Sequence, residues 1–227
     1  PQGEEERFRA LPDQYSHLYL AIGGVLAAVI CISDPLRQEA RQVIATLGQL
    51  GVKRAVMLTG DSRRTAAAIA GEVGVDLYQA EVLPEDKARF VERERAAGHT
   101  VLMVGDGIND SPALSAADAG VAISDGAAIA REIADITIAA DNLWELVTLR
   151  RIAMELMERI RSNYRFVIGF NGALIGLGVS GVLAPAASAM LHNLSTLAIS
   201  LRSMTNLLKG RERQDGGTAE PPARRRA

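Results

Sequence analysis

The amino-acid sequence predicts an α/β domain with a parallel sheet flanked by helices, followed by a two-helix transmembrane hairpin. The first observation is an alternation between residues 53 and 139. Short Val-, Ile- and Leu-rich stretches there alternate with segments whose apolar residues recur at helical spacing. Repeated β–loop–α units of this kind build a parallel sheet covered by helices. The second observation is a pair of uncharged stretches, residues 166–183 and 186–201, each near the length that a helix needs to cross a bilayer.

Length, charge and cysteine content bound the possibilities. The 227 residues suffice for one α/β domain and a smaller unit. A formal net charge of −2 gives no indication of a nucleic-acid partner. The single cysteine, Cys31, excludes a disulfide framework within the chain, and its apolar neighbours predict a buried thiol. Because the chain begins with Pro1 and carries no signal sequence, we expect a piece of a longer protein.

The predicted elements follow in chain order. Residues 1–12 are charged and predict an irregular segment, whereas residues 17–32 are apolar and broken at Gly23-Gly24, which predicts a β-hairpin. Residues 33–35, Ser-Asp-Pro, supply a cap and a first turn for a helix over residues 37–50. The later strands are predicted at residues 53–58, 77–80, 100–104, 120–123 and 136–139, and the helices at 62–73, 84–97, 111–117 and 127–134.

The charges around the two uncharged stretches predict their orientation. A basic amphipathic helix over residues 143–164 leads into the first stretch, and Arg and Lys also follow the second. The connection at Ala184-Pro185 carries no charge, so the positive-inside rule puts both ends of the hairpin in the cytoplasm. Two helices buried in a soluble core are the alternative, but too little chain remains to cover them. The tail from Gly210 predicts disorder.

One acidic loop carries the strongest functional signal. The apolar residues 100–104 run into Gly105 and Asp106, and Asn109 and Asp110 follow closely. Carboxylates at the carboxyl end of a strand are the hard oxygen ligands that suit Mg²⁺ bound together with a phosphate. The alternative is a strand–turn–helix connection that these side chains merely cap, which would prevail for an isolated Asp-Gly pair. Two carboxylates and an Asn so close together favour the metal–phosphate interpretation.

Two further strand-end features complete the predicted site. Thr59, Gly60 and Asp61 offer a hydroxyl and backbone N–H groups at a helix N-terminus, where anions bind. Lys87 lies one turn into the helix opened by Pro84, from which its ammonium could reach a phosphate. Each feature alone is weak, because such residues also cap helices or face solvent. Together with the acidic loop they predict phosphoryl transfer, although no aspartyl nucleophile precedes them in this chain.

These motifs resemble a known family. Residues 59–61, Lys87 and residues 105–114 look like the conserved elements of the haloacid dehalogenase-like fold, a Rossmann-like α/β fold. Residues 103–114 resemble in particular the phosphorylation domain of P-type ATPases, and residues 116–140 resemble the heavy-metal-transporting subfamily. The implied organisation is the end of a nucleotide-binding domain at 1–32, a phosphorylation domain at 33–142, a basic linker helix with the last two membrane helices at 143–208, and a disordered tail at 209–227.

The resemblance also implies roles for residues. The implied catalytic set holds Mg²⁺, ATP and the transferred phosphoryl group: Thr59, Gly60, Asp61, Lys87, Asp106, Asn109 and Asp110. Within it, Asp106 and Asp110 are the implied Mg²⁺ ligands, and Thr59, Asp61 and Lys87 are the implied binding residues for ATP and its phosphoryl group. The implied partners are a transition- or heavy-metal cation, the lipid bilayer, and an upstream part of the same polypeptide that carries the phosphorylated aspartate. The chain is then part of a transporter in a bacterial inner membrane, and alone it is inactive.

The sequence leaves the transported metal open. Asn171 matches a polar position that the subfamily uses near its metal site, and Met190, His192 and Ser195 lie within about two turns of the last predicted helix. His and Met suit transition metals, and polar residues inside a bilayer indicate function. The alternative is that Asn193, Ser195 and Thr196 bond across helices and that His192 lies near the outer interface.

Two other functions are also compatible with parts of the sequence. A soluble Mg²⁺-dependent phosphatase of the same fold would explain the strand-end residues but not the uncharged stretches. An inactive regulatory or assembly fragment would explain the absent nucleophile. Recovery in the soluble fraction without detergent would indicate the phosphatase and not a transporter. An upstream sequence that carries the aspartyl nucleophile would indicate an active pump and not an inactive fragment.

Overall fold

A computed structural model describes residue 11 and residues 15–32, 36–106, 109–123, 132–139 and 142–207. The chain divides into two compact units, Pro1–Thr148 and Leu149–Ala227. Several predictions fall outside the described residues: the irregular segment at the start, the cap at residues 33–35, most of the helix at 127–134 and the disordered tail.

The first unit opens with the predicted β-hairpin. Strand β1 (Ser16–Ile22) pairs antiparallel with β2 (Val25–Ile32) around a turn at Gly23 and Gly24. Both glycines have positive φ, at 58° and 81°, which L side chains rarely adopt, so the two-glycine turn is required locally. Cys31 is exposed in this hairpin, and the prediction of a buried thiol is therefore wrong. The hairpin forms a sheet of its own, and its apolar residues Ile30 and Ile32 beside Cys31 are half exposed, so they do not enclose the thiol.

Within the described residues, four helices and five short strands follow, close to their predicted places. The helices are α1 (Ala40–Gln49), α2 (Arg63–Val73), α3 (Pro84–Ala96) and α4 (Ser111–Ala116). The strands are β3 (Val56–Leu58), β4 (Leu77–Gln79), β5 (Leu102–Gly105), β6 (Ala119–Ile123) and β7 (Ile136–Ile138). Helix α1 begins three residues later than predicted, because residues 38 and 39 form a turn and Glu39 occupies the N-cap position.

The parallel strands form two pieces within the described residues. Strand β3 pairs with β4, and β5 pairs with β6, which pairs in turn with β7, all in parallel register. The parallel α/β class is therefore confirmed, whereas the single continuous sheet that the alternation predicted is not. Among the described residues, no strand pairs with the second edge of β3 or of β5.

The core of the first unit lies between the helices and these strands. Its most deeply buried side chains come from helices on one side and strand residues on the other: Val43, Ala66, Val91, Ala113, Leu114, Val121, Ala122 and Val147. Burying a Val or Leu side chain stabilises a fold by about 1.5–3 kcal/mol, so these residues contribute much of the stability of the first unit.

The second unit is a helical hairpin, formed by all of helix α5 (Trp144–Val179) except its first residues and by helix α6 (Pro185–Ser203). Helix α5 is one continuous helix, although the sequence predicted a basic helix and a separate uncharged one. The change from charged to uncharged residues near Tyr164 does not interrupt backbone hydrogen bonding. Helix α6 runs back along α5, since Asn171 bonds to His192 and Asn163 bonds to Ser203.

Among the described residues, no helix is both long and apolar enough to span a membrane. Helix α5 ends at Val179, so the uncharged stretch is only partly helical, and its helical part contains the polar residue Asn171. Helix α6 contains His192 and Asn193 near its middle. The predicted pair of helices is thus present, while its predicted membrane-spanning character is not confirmed.

Candidate active site

The candidate site lies at the carboxyl ends of the parallel strands. Thr59 directly follows β3, and Asp106 directly follows β5. Because parallel strands place their carboxyl ends at one edge, the loops after them carry the side chains available to a ligand. Six of the seven predicted catalytic residues fall into three hydrogen-bonded groups at this edge, and the seventh, Gly60, lies between Thr59 and Asp61 in the loop after β3.

The first group is the loop after β3. The Thr59 hydroxyl donates to Asp61 Oδ2 at 2.7 Å, and the Asp61 backbone N–H donates back to Thr59 Oγ1 at 3.1 Å. Helix α2 is capped instead by Ser62, whose Oγ accepts from the Thr65 N–H at 3.2 Å. Thr59 and Asp61 therefore do not serve as the N-cap. The alternative role for this loop, a simple helix cap, belongs to Ser62.

The second group is the acidic loop after β5. The backbone N–H of Asn109 donates to Asp106 Oδ1 at 3.2 Å, and the Asn109 side-chain amide lies 3.5 Å from Asp106 Oδ2. Both residues are exposed. Asn109 thus bonds to both oxygens of Asp106 and fixes the direction of its carboxylate.

The third group joins α3 to α4. Lys87 Nζ lies 2.7 Å from Asp110 Oδ1, and the two side chains are only 16% and 13% exposed. An ion pair this enclosed is screened less by solvent than a surface pair. The structure therefore brings the Lys87 ammonium from the amino-terminal part of α3 to the acidic loop. Its contact with a phosphate stays a prediction.

Gly105 has a role that its sequence context did not reveal. A Cβ at this position would lie 2.5 Å from Asp110 Oδ2 and 2.7 Å from Asp110 Cβ, closer than atoms can approach. The structure shows that the side chain of Asp110 itself occupies the space.

The donor set fits Mg²⁺ together with a phosphate. Among the described residues, no cluster of three or more His, Cys, Asp or Glu side chains could hold a metal without help. Mg²⁺ is commonly bound by one or two carboxylates and completes its octahedron with phosphate oxygens and water. Asp106 and Asp110 are the carboxylates that could serve here, and Lys87 already pairs with the second of them.

Three aspartates at the opposite edge of the strands were not predicted as a group. Asp76, Asp118 and Asp135 each stand one residue before a strand, β4, β6 and β7 respectively. Each carboxylate accepts a backbone N–H at the amino end of the neighbouring strand, from Ala55 at 2.7 Å, Val101 at 2.8 Å and Gly120 at 2.8 Å. We call these three residues the amino-edge aspartates, and Asp106 and Asp110 the carboxyl-edge aspartates.

Asp118 has the most partners of the amino-edge aspartates. Besides Val101, it accepts a hydrogen bond from Arg95 Nε at 2.9 Å, and Arg95 Nη1 donates to the Ala116 carbonyl at 2.7 Å. The Val101 N–H and the Arg95 guanidinium together hold the pKa of the Asp118 carboxyl below its usual value, against the opposing effect of burial. The sequence signal for this edge is the recurrence of an Asp directly before a short apolar strand.

The candidate metal residues of the hairpin are only partly brought together. His192 Nδ1 lies 2.9 Å from Asn171 Oδ1, which joins α5 to α6. The Ser195 hydroxyl donates to the His192 carbonyl at 2.7 Å, so it is directed to its own helix. Met190 is exposed. In the predicted alternative Asn193, Ser195 and Thr196 bond across helices, but the hydroxyls of Ser195 and Thr196 both donate to the His192 carbonyl of their own helix. The bond between the two helices joins Asn171 and His192 instead.

Comparison with known proteins begins with the family model of haloacid dehalogenase-like hydrolases, which matches residues 2–118. A manganese-exporting P-type ATPase of Mycobacterium leprae is 43% identical over 187 residues, which is 82% of this chain and 26% of the relative. A zinc-exporting P-type ATPase of Mycobacterium marinum has the same identity and coverage. A probable copper-transporting ATPase of Arabidopsis thaliana is 46% identical over 169 residues, or 74% of this chain and 17% of the relative.

Solved structures of zinc-transporting PIB-type ATPases also align with this chain. The crystal structure of a zinc-transporting PIB-type ATPase aligns with a TM-score of 0.77 and 31% identity, covering 89% of this chain and 34% of that one. A second crystal structure of a zinc-transporting PIB-type ATPase, in a different state, aligns with a TM-score of 0.74 and 30% identity. The first match covers more of the chain than Pro1–Thr148 contains, so it extends into the helical hairpin. The chain spans about a quarter of the length of the first relatives, 26%.

Proposed function

We propose, on the premise that this chain belongs to the haloacid dehalogenase-like hydrolase family and is homologous to heavy-metal P-type ATPases, that it is the carboxyl-terminal part of an ATP-driven heavy-metal transporter. Its first unit contributes half of a phosphoryl-transfer site. The observation that carries this proposal is the enclosed Lys87–Asp110 pair beside Asp106, at the carboxyl ends of parallel strands. Positioning and charge are what phosphoryl transfer requires of a protein.

The side chains of this half-site have distinct tasks. Lys87 places a positive charge where the oxygens of a phosphoryl group would lie, and the Thr59 hydroxyl offers one of them a hydrogen bond. Asp61 orients Thr59, and Asn109 orients Asp106. Mg²⁺, held by Asp106 and Asp110 with the phosphate of ATP or of the phosphorylated protein, would neutralise the charge that develops during transfer.

The other half of the site is a nucleophilic aspartate supplied by a part of the protein that this chain does not span. The two pieces of parallel sheet support this assignment, because β3 and β5 each have an edge that no described strand pairs. One additional parallel strand between them would join the pieces and bring its carboxyl end to the same edge as Thr59 and Asp106. The chain alone is then inactive.

The helical hairpin supplies the last two helices of the transporter's membrane domain. The alignment with the zinc-transporting ATPase supports this role, because it extends into the hairpin. Polar groups such as Asn171 and His192 need partners within a bilayer, which neighbouring helices of the whole protein would provide. The basic residues that flank the hairpin then lie on the cytoplasmic side of a bacterial plasma membrane.

The cation is a transition or heavy metal whose identity stays open. The relatives are named for manganese, zinc and copper at similar identity, so the comparisons do not favour one of them. Asn171 and His192 are the strongest candidates for a ligand pair, because they already meet across the two helices. Met190 and Ser195 are weaker candidates, since one is exposed and the other bonds to its own helix.

The test is performed on the full-length protein in membranes. ATP labelled at the γ-phosphate should give an acid-stable phosphoenzyme, and ATPase activity should rise with one of Mn²⁺, Zn²⁺, Cu⁺, Co²⁺ or Ni²⁺. His192→Ala should reduce this stimulation more than Asn193→Ala, the matched change at the next residue. A protein that forms no phosphoenzyme with any of these cations, or that is recovered without detergent as an active phosphatase, would refute the proposal.

A further inference from the structure

Polar side-chain contacts join helices α3 and α4 at both ends. At the carboxyl edge, Lys87 pairs with Asp110, the N-cap residue of α4. At the amino edge, Arg95 donates to the carbonyl of Ala116, the last residue of α4, and to the carboxylate of Asp118. The two helices therefore lie side by side in the same direction, with a polar contact at each end.

The residues of α3 that face α4 lie in one stripe along the helix. Lys87, Val91 and Arg95 are spaced four residues apart, so they lie on nearly the same face of the helix. Val91, in the middle, is only 1% exposed. On α4, Ala113 and Leu114 are buried between the two polar ends, at 0% and 1% exposed. The interface is thus an apolar centre closed by an ion pair at each end.

Asp118 extends the amino-edge contact into the strands. Its Oδ2 accepts the Val101 N–H at 2.8 Å, and its own N–H donates to the Val101 carbonyl at 3.0 Å. Val101 directly precedes β5, the strand whose carboxyl end carries Asp106. Arg95 therefore holds α3 to the strand that carries the acidic loop and to the helix that carries Asp110.

We propose that Arg95 and Asp118 are positioning residues that set the location of the Lys87 ammonium in the phosphoryl site. Eight residues separate Lys87 from Arg95, about 12 Å along a helix at 1.5 Å per residue. A tilt of about 5° at the Arg95 end would displace the Lys87 end by about 1 Å, a shift that can cost an enzyme about a hundredfold in rate. This inference rests on the proposed function, because it assigns to Lys87 the contact with the phosphoryl group.

The test is a double-mutant cycle between two residues of α3 that do not share a partner. Arg95→Gln, Lys87→Gln and the double variant are made in the full-length protein, and the rate of phosphoenzyme formation from ATP is measured. We expect Arg95→Gln to slow the reaction by about tenfold to a hundredfold. In Lys87→Gln the ammonium that Arg95 positions is absent, so the loss of Arg95 has little further effect. The double variant should therefore be slower than Lys87→Gln by no more than about threefold.

Arg89→Gln is the matched control. Arg89 lies on the same helix and pairs with Asp86 on the surface, where its side chain is 70% exposed. We expect Arg89→Gln to leave the rate unchanged, and its effect with Lys87→Gln to be purely multiplicative. Arg95→Lys keeps the positive charge but has a single ammonium in place of the separate guanidinium nitrogens that bond to Ala116 and Asp118. Its rate should therefore lie between those of the parent and Arg95→Gln.

The outcomes separate the two proposals. If Lys87→Gln slows the reaction but Arg95→Gln acts like Arg89→Gln, or multiplies fully with Lys87→Gln, the positioning role is refuted and the proposed function stands. If Lys87→Gln itself leaves phosphoenzyme formation unchanged, the proposed function fails. A melting temperature recorded for each variant identifies unfolding, and in that case the Arg95→Lys variant decides by the same criteria.

Discussion

The two edges of the parallel strands use the same residue type in opposite ways. The amino-edge aspartates accept backbone N–H groups of neighbouring strands. The carboxyl-edge aspartates bond to the side chain of Lys87 and to the loop residue Asn109. A strand N–H cannot leave its acceptor without disturbing the sheet, whereas a lysine or a loop amide can exchange for a phosphate or a metal. The first set therefore stabilises the fold, and the second is suited to binding.

This contrast is tested most strongly at Asp106. In the full-length protein, Asp106→Asn should lower phosphoenzyme turnover by at least about a hundredfold, because the amide is a poor ligand for Mg²⁺. Its unfolding free energy should change by no more than about 0.5 kcal/mol, the range of a surface substitution. The measurements are phosphorylation by labelled ATP and thermal unfolding.

Asp86→Asn is the control for that experiment, since it removes a carboxylate of the same unit that pairs with Arg89 at the surface. We expect it to change neither quantity. A stable Asp106→Asn protein with normal turnover would contradict the binding role of the carboxyl edge.

Gly105→Ala should lower both the turnover and the unfolding free energy. The new Cβ would overlap the Asp110 side chain at 2.5 Å, so Asp110 must move and its ion pair with Lys87 must lengthen or break. Overpacking of this kind costs about 1–3 kcal/mol. We expect turnover to fall by about tenfold or more, with a measurable loss in unfolding free energy from a urea titration. Gly71→Ala, in helix α2 where a Cβ meets no atom within 4 Å, is the control and should be neutral or stabilising.

Asp135→Ala should show the opposite behaviour to Asp106→Asn. It removes the acceptor of the Gly120 N–H, and Gly120 is buried, so this donor loses its partner. An unsatisfied buried donor costs about 1–3 kcal/mol in unfolding free energy. Turnover per folded molecule should remain within about twofold of the parent at a temperature where the variant is folded. A variant with normal stability and impaired turnover would reverse the assignment of the two edges.

The carboxyl edge could be predicted from sequence because topology alone places it. Short apolar strands ending in polar loops bring Thr59, Asp106 and Asp110 to one edge, whatever the exact strand bounds. The amino edge was missed because its aspartates look like ordinary loop residues, and only the geometry shows which N–H each accepts. Sequence also could not show that β3 and β5 lack a common partner among the described strands, since pairing between distant strands leaves no local pattern.

The hairpin shows a further limit of pattern alone. The change of charge near Tyr164 suggested two helices, but a helix continues unless a residue breaks its hydrogen bonds, and none does so before Val179. The prediction of the turn at Pro185 succeeded because proline begins α6 at its first position, where its missing N–H costs nothing.

The smallest predicted effect is the pH dependence at Asp118. The Val101 N–H, then the Arg95 guanidinium, lower the pKa of its carboxyl from the unperturbed value of 3.8, so the folded protein binds this proton less readily than the unfolded chain. The stabilisation is fully present above about pH 5 and is lost as the pH falls below 3.8 through the folded-state pKa. Asp118→Asn removes this term, so the stability difference between parent and variant should shrink as the pH is lowered from about 5 to about 3. A difference that stayed constant across that interval, measured by urea unfolding at each pH, would mean that the carboxylate charge contributes nothing and that the amino edge depends on hydrogen-bond geometry alone.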